Sequence, residues 1–133
     1  MLSACILNEP PCGDEVCVSR VEISHARAVS VPYDIVVNVG EFTYSARCND
    51  PDALETTKNS QAFTCQRGGL GFTLEAEHLV TAYFLTVNMQ AVNGDDELPQ
   101  HVTVDLTVAE HLQPNGPNCD PTCYSRTGVV HEL

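Results

Sequence analysis

Tryptophan is absent from this chain of 133 residues, and phenylalanine and tyrosine supply only four side chains each. Valine, leucine, isoleucine and alanine must therefore fill most of the interior. Basic residues are scarce as well: 6 Lys and Arg stand against 18 Asp and Glu, a formal net charge of -12. A surface of that sign repels phosphate, which argues against nucleic-acid binding. It also disfavours direct docking of the protein surface on anionic lipid. High charge of one sign reports mostly solubility, and it leaves room for a basic partner or for cations. No apolar run is long enough to span a bilayer. Helix signals are few, and there is no internal repeat.

Catalytic signatures are missing too. No Gly-x-Ser-x-Gly elbow occurs, and Gly68-Gly69-Leu70-Gly71 lacks the Lys-Ser/Thr of a phosphate loop. The histidines (His25, His78, His101, His111, His131) are far apart in sequence and form no His-Glu-x-x-His pair. They read as scattered surface side chains, although strands could bring His78 and His101 together at a sheet end. Two acidic loops, Asn49-Asp50-Pro51-Asp52 and Asp95-Asp96-Glu97, have oxygens for calcium but not the spacing of an EF-hand loop. They read as solvated turns. The expectation is a protein that is not an enzyme and holds no cofactor or metal.

What is present is alternation. Tyr83, Leu85, Val87 and Met89 point one way and Phe84, Thr86, Asn88 and Gln90 the other. Val102, Val104, Leu106 and Val108 then alternate with Thr103, Asp105 and Thr107. A period of two marks strands with one buried and one wet face. Asn93-Gly94 between them suits a tight turn. Earlier in the chain, Val18 to Val31 reads as a first strand with Val21 and Ile23 inward, stopped by Pro32. Ile35, Val37 and Val39 restart the pattern. After a tight turn or bulge at Gly40, Phe42, Tyr44, Ala46 and Cys48 share a face. Ala62 to Cys65 forms a short strand, and Phe72, Leu74 and Ala76 face inward in the next. Beyond Val108 the Pro-rich stretch reads as a tail, with a last short strand over Tyr124 to Val130. Seven or eight strands at this spacing predict an all-β, two-layer antiparallel β-sandwich in one domain.

Seven cysteines in so small a chain point to an oxidising compartment and a disulfide-stapled fold. Cys12, Cys17, Cys48, Cys65, Cys119 and Cys123 allow fifteen pairings among six residues. Pairing of neighbours is the expectation: Cys12 with Cys17, Cys48 with Cys65, Cys119 with Cys123. The rival pattern ties the two short pairs to each other and joins the termini. Zinc held by those short pairs is the metal alternative, disfavoured by the acids and prolines crowding them.

Cys5 is the odd one out, and it closes the stretch Leu2-Ser3-Ala4-Cys5. This stretch resembles a bacterial lipobox. A Pro-, Gly- and acid-rich segment to Cys17 follows it and reads as a tether, dividing the chain into residues 1–17 and a sandwich over 18–133. Together with the paired cysteines and β-only body, these features resemble small envelope lipoproteins of Gram-negative bacteria. Such proteins carry one immunoglobulin-like or transthyretin-like (carboxypeptidase-regulatory-like) sandwich. The tryptophan of true immunoglobulin domains is absent. The resemblance implies lipid attachment at Cys5 and contact with the membrane only through that lipid. Ile6 after it implies sorting to the outer membrane. An envelope protein or glycan is the implied partner. The alternatives are a secreted binding module without lipid, and a metalloprotein or hydrolase built on His78, His101 or His111 with nearby acids.

Overall fold

The computed structural model describes residues 12–49, 63–94 and 97–132. The short strand β1 (Arg20–His25) buries Val21, Ile23 and His25 and exposes Arg20, Glu22 and Ser24. It ends at His25, earlier than the alternation suggests, because the residues up to Pro32 form no ladder. β2 (Tyr33–Val39) and β3 (Phe42–Cys48) form a hairpin in which Val39 faces Phe42 across Gly40-Glu41. Gly40 takes φ 59°, the backbone that a two-residue hairpin loop asks of its first position. β4 (Phe63–Cys65) and β5 (Gly71–Glu75) form a second hairpin, and β6 (Phe84–Ala91) and β7 (Val102–Asp105) a third. β8 (Thr107–Leu112) and β9 (Cys123–Val130) complete the nine strands of the described residues.

The strands lie in two sheets, one ordered β4-β5-β1-β9-β8 and the other β3-β2-β6-β7. Their inward faces make one core around Tyr33, Phe63, Phe72, Ile23, Ile35, Leu74, Leu85 and Met89, each at most 1% exposed. Burying each such side chain contributes about 1.5–3 kcal/mol. The fold is a disulfide-stapled all-β sandwich, as its sequence pattern predicts. All ladders are antiparallel except β1 with β9, which run parallel from Arg20 beside Ser125 to His25 beside Val130.

Three sequence expectations are corrected. The alternating run from Val102 to Val108 is not one strand of one sheet. It leaves the β6 ladder at Asp105, turns through Leu106, and continues as β8 against β9 in the other sheet. Val102, Val104 and Leu106 are buried, but Val108 is 52% exposed because the chain has by then left the covered core. Periodicity reports the pleat of a strand and is blind to which sheet the strand has joined. The stretch after Val108 is accordingly no tail, since pairing runs to Leu112 opposite Cys123. Asn93-Gly94 does turn, with the Gly94 N–H on the Ala91 carbonyl, but it does not join β6 directly to β7. The chain instead returns through Pro99, whose carbonyl accepts from Met89, and His101, whose N–H meets the Asn88 side chain.

The cysteine pairing is corrected as well. Cys48 bridges Cys65 as expected, but Cys12 joins Cys119 and Cys17 joins Cys123. The parallel β1–β9 ladder is the physical reason. It pairs residues 105 apart (125 − 20), and the bridges extend the same alignment at separations of 106 and 107. The segments leading into β1 and β9 therefore run side by side, and each cysteine finds its partner across the pair at Cα distances of 5.6 and 6.1 Å. Asn115 adds to this seam. Its side chain accepts from the Glu15 N–H and donates to the carbonyls of Glu15 and Asp120.

Candidate recognition site

On β3, Ala46 and Cys48 lie in the core, Tyr44 packs on its rim, and Phe42 projects past it at the hairpin tip. Phe42 remains 49% exposed. The crossover from β5 to β6 approaches this tip through a 3-10 turn, Glu77–Thr81, whose Leu79 is fully buried. The turn brings in His78. The His78 and Phe42 rings stack with centroids 3.8 Å apart and planes within 16°. The Tyr44 hydroxyl is 3.0 Å from His78 Nε2, and those two rings lie within 11° of one plane direction.

The turn itself is fastened from the far side. Arg126 on β9 points between the sheets and is only 4% exposed. Its guanidinium donates to the carbonyls of Leu79 and Val80, each at 2.8 Å. The Tyr83 and Tyr124 rings flank it at 5.8 and 4.9 Å. A buried cation normally requires a partner charge. Here the carbonyl dipoles at the end of the turn and two aromatic faces take that role. His78 is thus held by its own hydrogen bond and by a turn anchored to Arg126 of β9.

Partial burial lowers the affinity of His78 for a proton and raises the pKa of Tyr44. The stacked ring is therefore neutral at neutral pH. Glu41 directly precedes Phe42 and Glu77 directly precedes His78. Both are exposed, and neither has an ion-pair partner among the described residues. The arrangement is a flat, half-exposed aromatic surface. It can stack a planar or cationic group.

The other sequence candidates do not converge. His78 sits against β3 and His101 precedes β7, and these strands are opposite edges of one sheet, about 14 Å apart at ordinary strand spacing. His111 lies on β8 in the other sheet, with its ring 6.2 Å from that of Tyr124. His131 is an exposed turn residue after β9. His25 is not a surface side chain at all. It is 7% exposed at the end of β1, with Nδ1 3.0 Å from the Gly69 carbonyl. Among the described residues, no three His, Cys, Asp or Glu side chains are placed to hold a metal ion. Asp50, Pro51, Asp52, Asp95 and Asp96 lie outside the described residues, as do Cys5 and the rest of the lipobox-like stretch.

The Phe42–Tyr44–His78 cluster was not legible in the chain. Phe42 and Tyr44 read only as strand residues, and 34 positions separate Tyr44 from His78. Comparisons with protein-family models, with curated proteins and with solved structures find no match.

Proposed function

We propose that this protein is a non-enzymatic, membrane-anchored lipoprotein of the bacterial envelope whose β-sandwich serves a binding or structural role. The observation that carries the anchoring is cysteine accounting joined to the Leu2-Ser3-Ala4-Cys5 stretch. Three disulfides use six of the seven cysteines, and the seventh is Cys5, at the position a lipobox would modify. Three bridges in so small a body accord with export to an oxidising compartment. Outer-membrane sorting follows from the same resemblance through Ile6.

The sandwich supports the immunoglobulin-like reading over the transthyretin-like one. Strands β4, β5 and β1 face β3, β2, β6 and β7, which corresponds to the D-E-B and C′-C-F-G arrangement of immunoglobulin domains. The place beside β1 that their first strand takes is filled here by β9. Domains of this architecture present loops and sheet edges to partners, which suits a binding role.

The test is the intact mass of protein from its native source, before and after reduction with thiol alkylation. A mass exceeding the polypeptide by a diacylglyceryl and an acyl group, with six alkylation sites appearing only on reduction, is the expected result. An unlipidated chain with six such sites would replace this reading by a secreted, unanchored module. Several thiols free before reduction would overturn the compartment itself.

A further inference from the structure

We infer that Asn93 is a site of spontaneous covalent modification, deamidation through a succinimide, and that the fold protects Asn115 from the same reaction. The site stands apart from the anchoring reading, since the reaction needs no lipid on Cys5.

The chain has two Asn-Gly steps, Asn93-Gly94 and Asn115-Gly116. Glycine after asparagine is the reactive context, because no side chain shields its backbone nitrogen from the neighbouring amide. That nitrogen attacks Cγ of the asparagine. The new N–Cγ bond closes a five-membered ring as the Cγ–Nδ2 bond breaks, and the glycine nitrogen's proton leaves with the amide nitrogen as ammonia. Water then opens the ring at either carbonyl, giving aspartate or isoaspartate. Nothing is oxidised or reduced, and water is the one co-reactant.

The turn backbone does not separate the two steps. The Gly94 N–H donates to the Ala91 carbonyl and the Gly116 N–H to the Gln113 carbonyl, each at 3.1 Å. Both glycines have positive φ, 76° and 114°. The side chains do separate them. Asn93 is exposed just beyond the end of β6. Asn115 is partly buried in the seam between the segments that lead into β1 and β9. Its Oδ1 accepts from the Glu15 N–H at 3.0 Å, and its Nδ2 donates to the carbonyls of Glu15 and Asp120 at 2.7 and 2.8 Å. Gly13 leaves the room for this side chain, since a β-carbon there would come 2.7 Å from Asn115 Oδ1. The Cys12–Cys119 and Cys17–Cys123 bridges hold the two segments together around these bonds. Ring closure draws Cγ toward the glycine nitrogen and takes Oδ1 and Nδ2 off all three partners. Giving up one such bond slows the reaction about fivefold, and giving up three slows it about a hundredfold. The protected residue is also the one the seam depends on. An aspartate at 115 would lose both donors and set a carboxylate against two carbonyl oxygens.

The test incubates the full disulfide-bonded chain at mildly alkaline pH and follows both steps by peptide mapping that resolves aspartate from isoaspartate. A reduced and alkylated sample runs in parallel. In the disulfide-bonded chain, Asn93 is expected to convert about a hundredfold faster than Asn115. In the reduced chain the two should convert at comparable rates, through a gain at Asn115. Gly13→Ala, which pushes a β-carbon onto Asn115 Oδ1, should speed conversion of Asn115 with every disulfide still formed, and leave Asn93 unchanged. Equal rates in the disulfide-bonded chain would overturn the inference. So would an Asn93 that is inert there but converts in the reduced chain, or an Asn115 that Gly13→Ala does not speed.

Discussion

His25 shows what a single buried side chain does to the pH range of this fold. Only an N–H can meet a carbonyl, so Nδ1 carries the proton toward Gly69 and Nε2 is left as an acceptor. That acceptor is buried with no hydrogen-bond partner among the described residues, next to the rings of Tyr33 and Phe72. Burial is the larger influence and holds the His25 pKa below its ordinary value of about 6.5, against the opposing pull of the Gly69 carbonyl. The folded chain therefore takes up this proton at lower pH than the unfolded chain does. The stability tied to a neutral His25 is complete above pH 6.5 and declines as the pH falls below it. His25→Gln keeps a donor for Gly69 and cannot titrate. The difference in unfolding free energy between the native chain and this variant is expected to shift in favour of the variant between pH 7.5 and 5. A difference that stays constant in urea titrations across that range would show that His25 does not contribute. Tyr33 nearby has its hydroxyl buried and its pKa pushed up to about 12 by burial, so it stays neutral throughout.

At the scale of elements, two contacts fix where the sheets approach. Gly128 sits inside β9, where a β-carbon would come 2.6 Å from Val104 Cγ1 and 2.9 Å from the Asp105 carbonyl. Glycine there lets the end of β7 come close to β9, where the chain crosses to the other sheet as β8. Gly128→Ala is expected to cost about 1–3 kcal/mol by overpacking, read as a lower thermal midpoint with unchanged far-ultraviolet dichroism. Arg126 is the second contact. Arg126→Leu fills much of the same volume but leaves the Leu79 and Val80 carbonyls without their donor, a loss of about 1–3 kcal/mol. Amide exchange should quicken in the Glu77–Thr81 turn more than in β2 or β6. Uniform exchange changes would mean that Arg126 supports the whole sandwich and not this turn. The same variant should disturb the His78 ring resonances, because the turn positions His78.

For the whole molecule, the bridges that join the two ends of the domain dominate. Cys12–Cys119 spans 107 positions, and closing a loop of that order contributes about 4.7 kcal/mol on a chain-entropy estimate. Once it is closed, Cys17–Cys123 closes only the short ring between the two bridges, for roughly 2.5–3 kcal/mol. Cys48–Cys65, separated by 17 positions, contributes about 3 kcal/mol. The paired variant Cys17→Ser with Cys123→Ser should thus lose less than removal of both terminal bridges. That fourfold variant should lose about 7–8 kcal/mol, comparable with the entire stability of an ordinary domain. Guanidinium unfolding of the two variants measures the order. Equal losses would show that the terminal bridges do not act through loop closure. Non-reducing digestion should yield linked peptides carrying Cys12 with Cys119 and Cys17 with Cys123, not the local pairs.

The amino-acid sequence by itself determined the class of fold. A period of two in Val21, Ile23, Ile35, Val37, Leu85 and Val87 is a local property of each strand, fixed by which side chains can leave water. The Cys48–Cys65 bridge was legible for the same reason: both residues end strands that flank one loop. Pairing partners are not local, and only the tertiary structure decided them. It placed β9 parallel to β1, and that alignment moved four cysteines from local bridges to bridges between the ends of the domain. It sent the Val102–Val108 run into two sheets at Leu106, a change that alternation cannot register. It also carried His78 to Phe42 and Tyr44 by a crossover fastened from β9, so this aromatic cluster exists only once three distant segments have met.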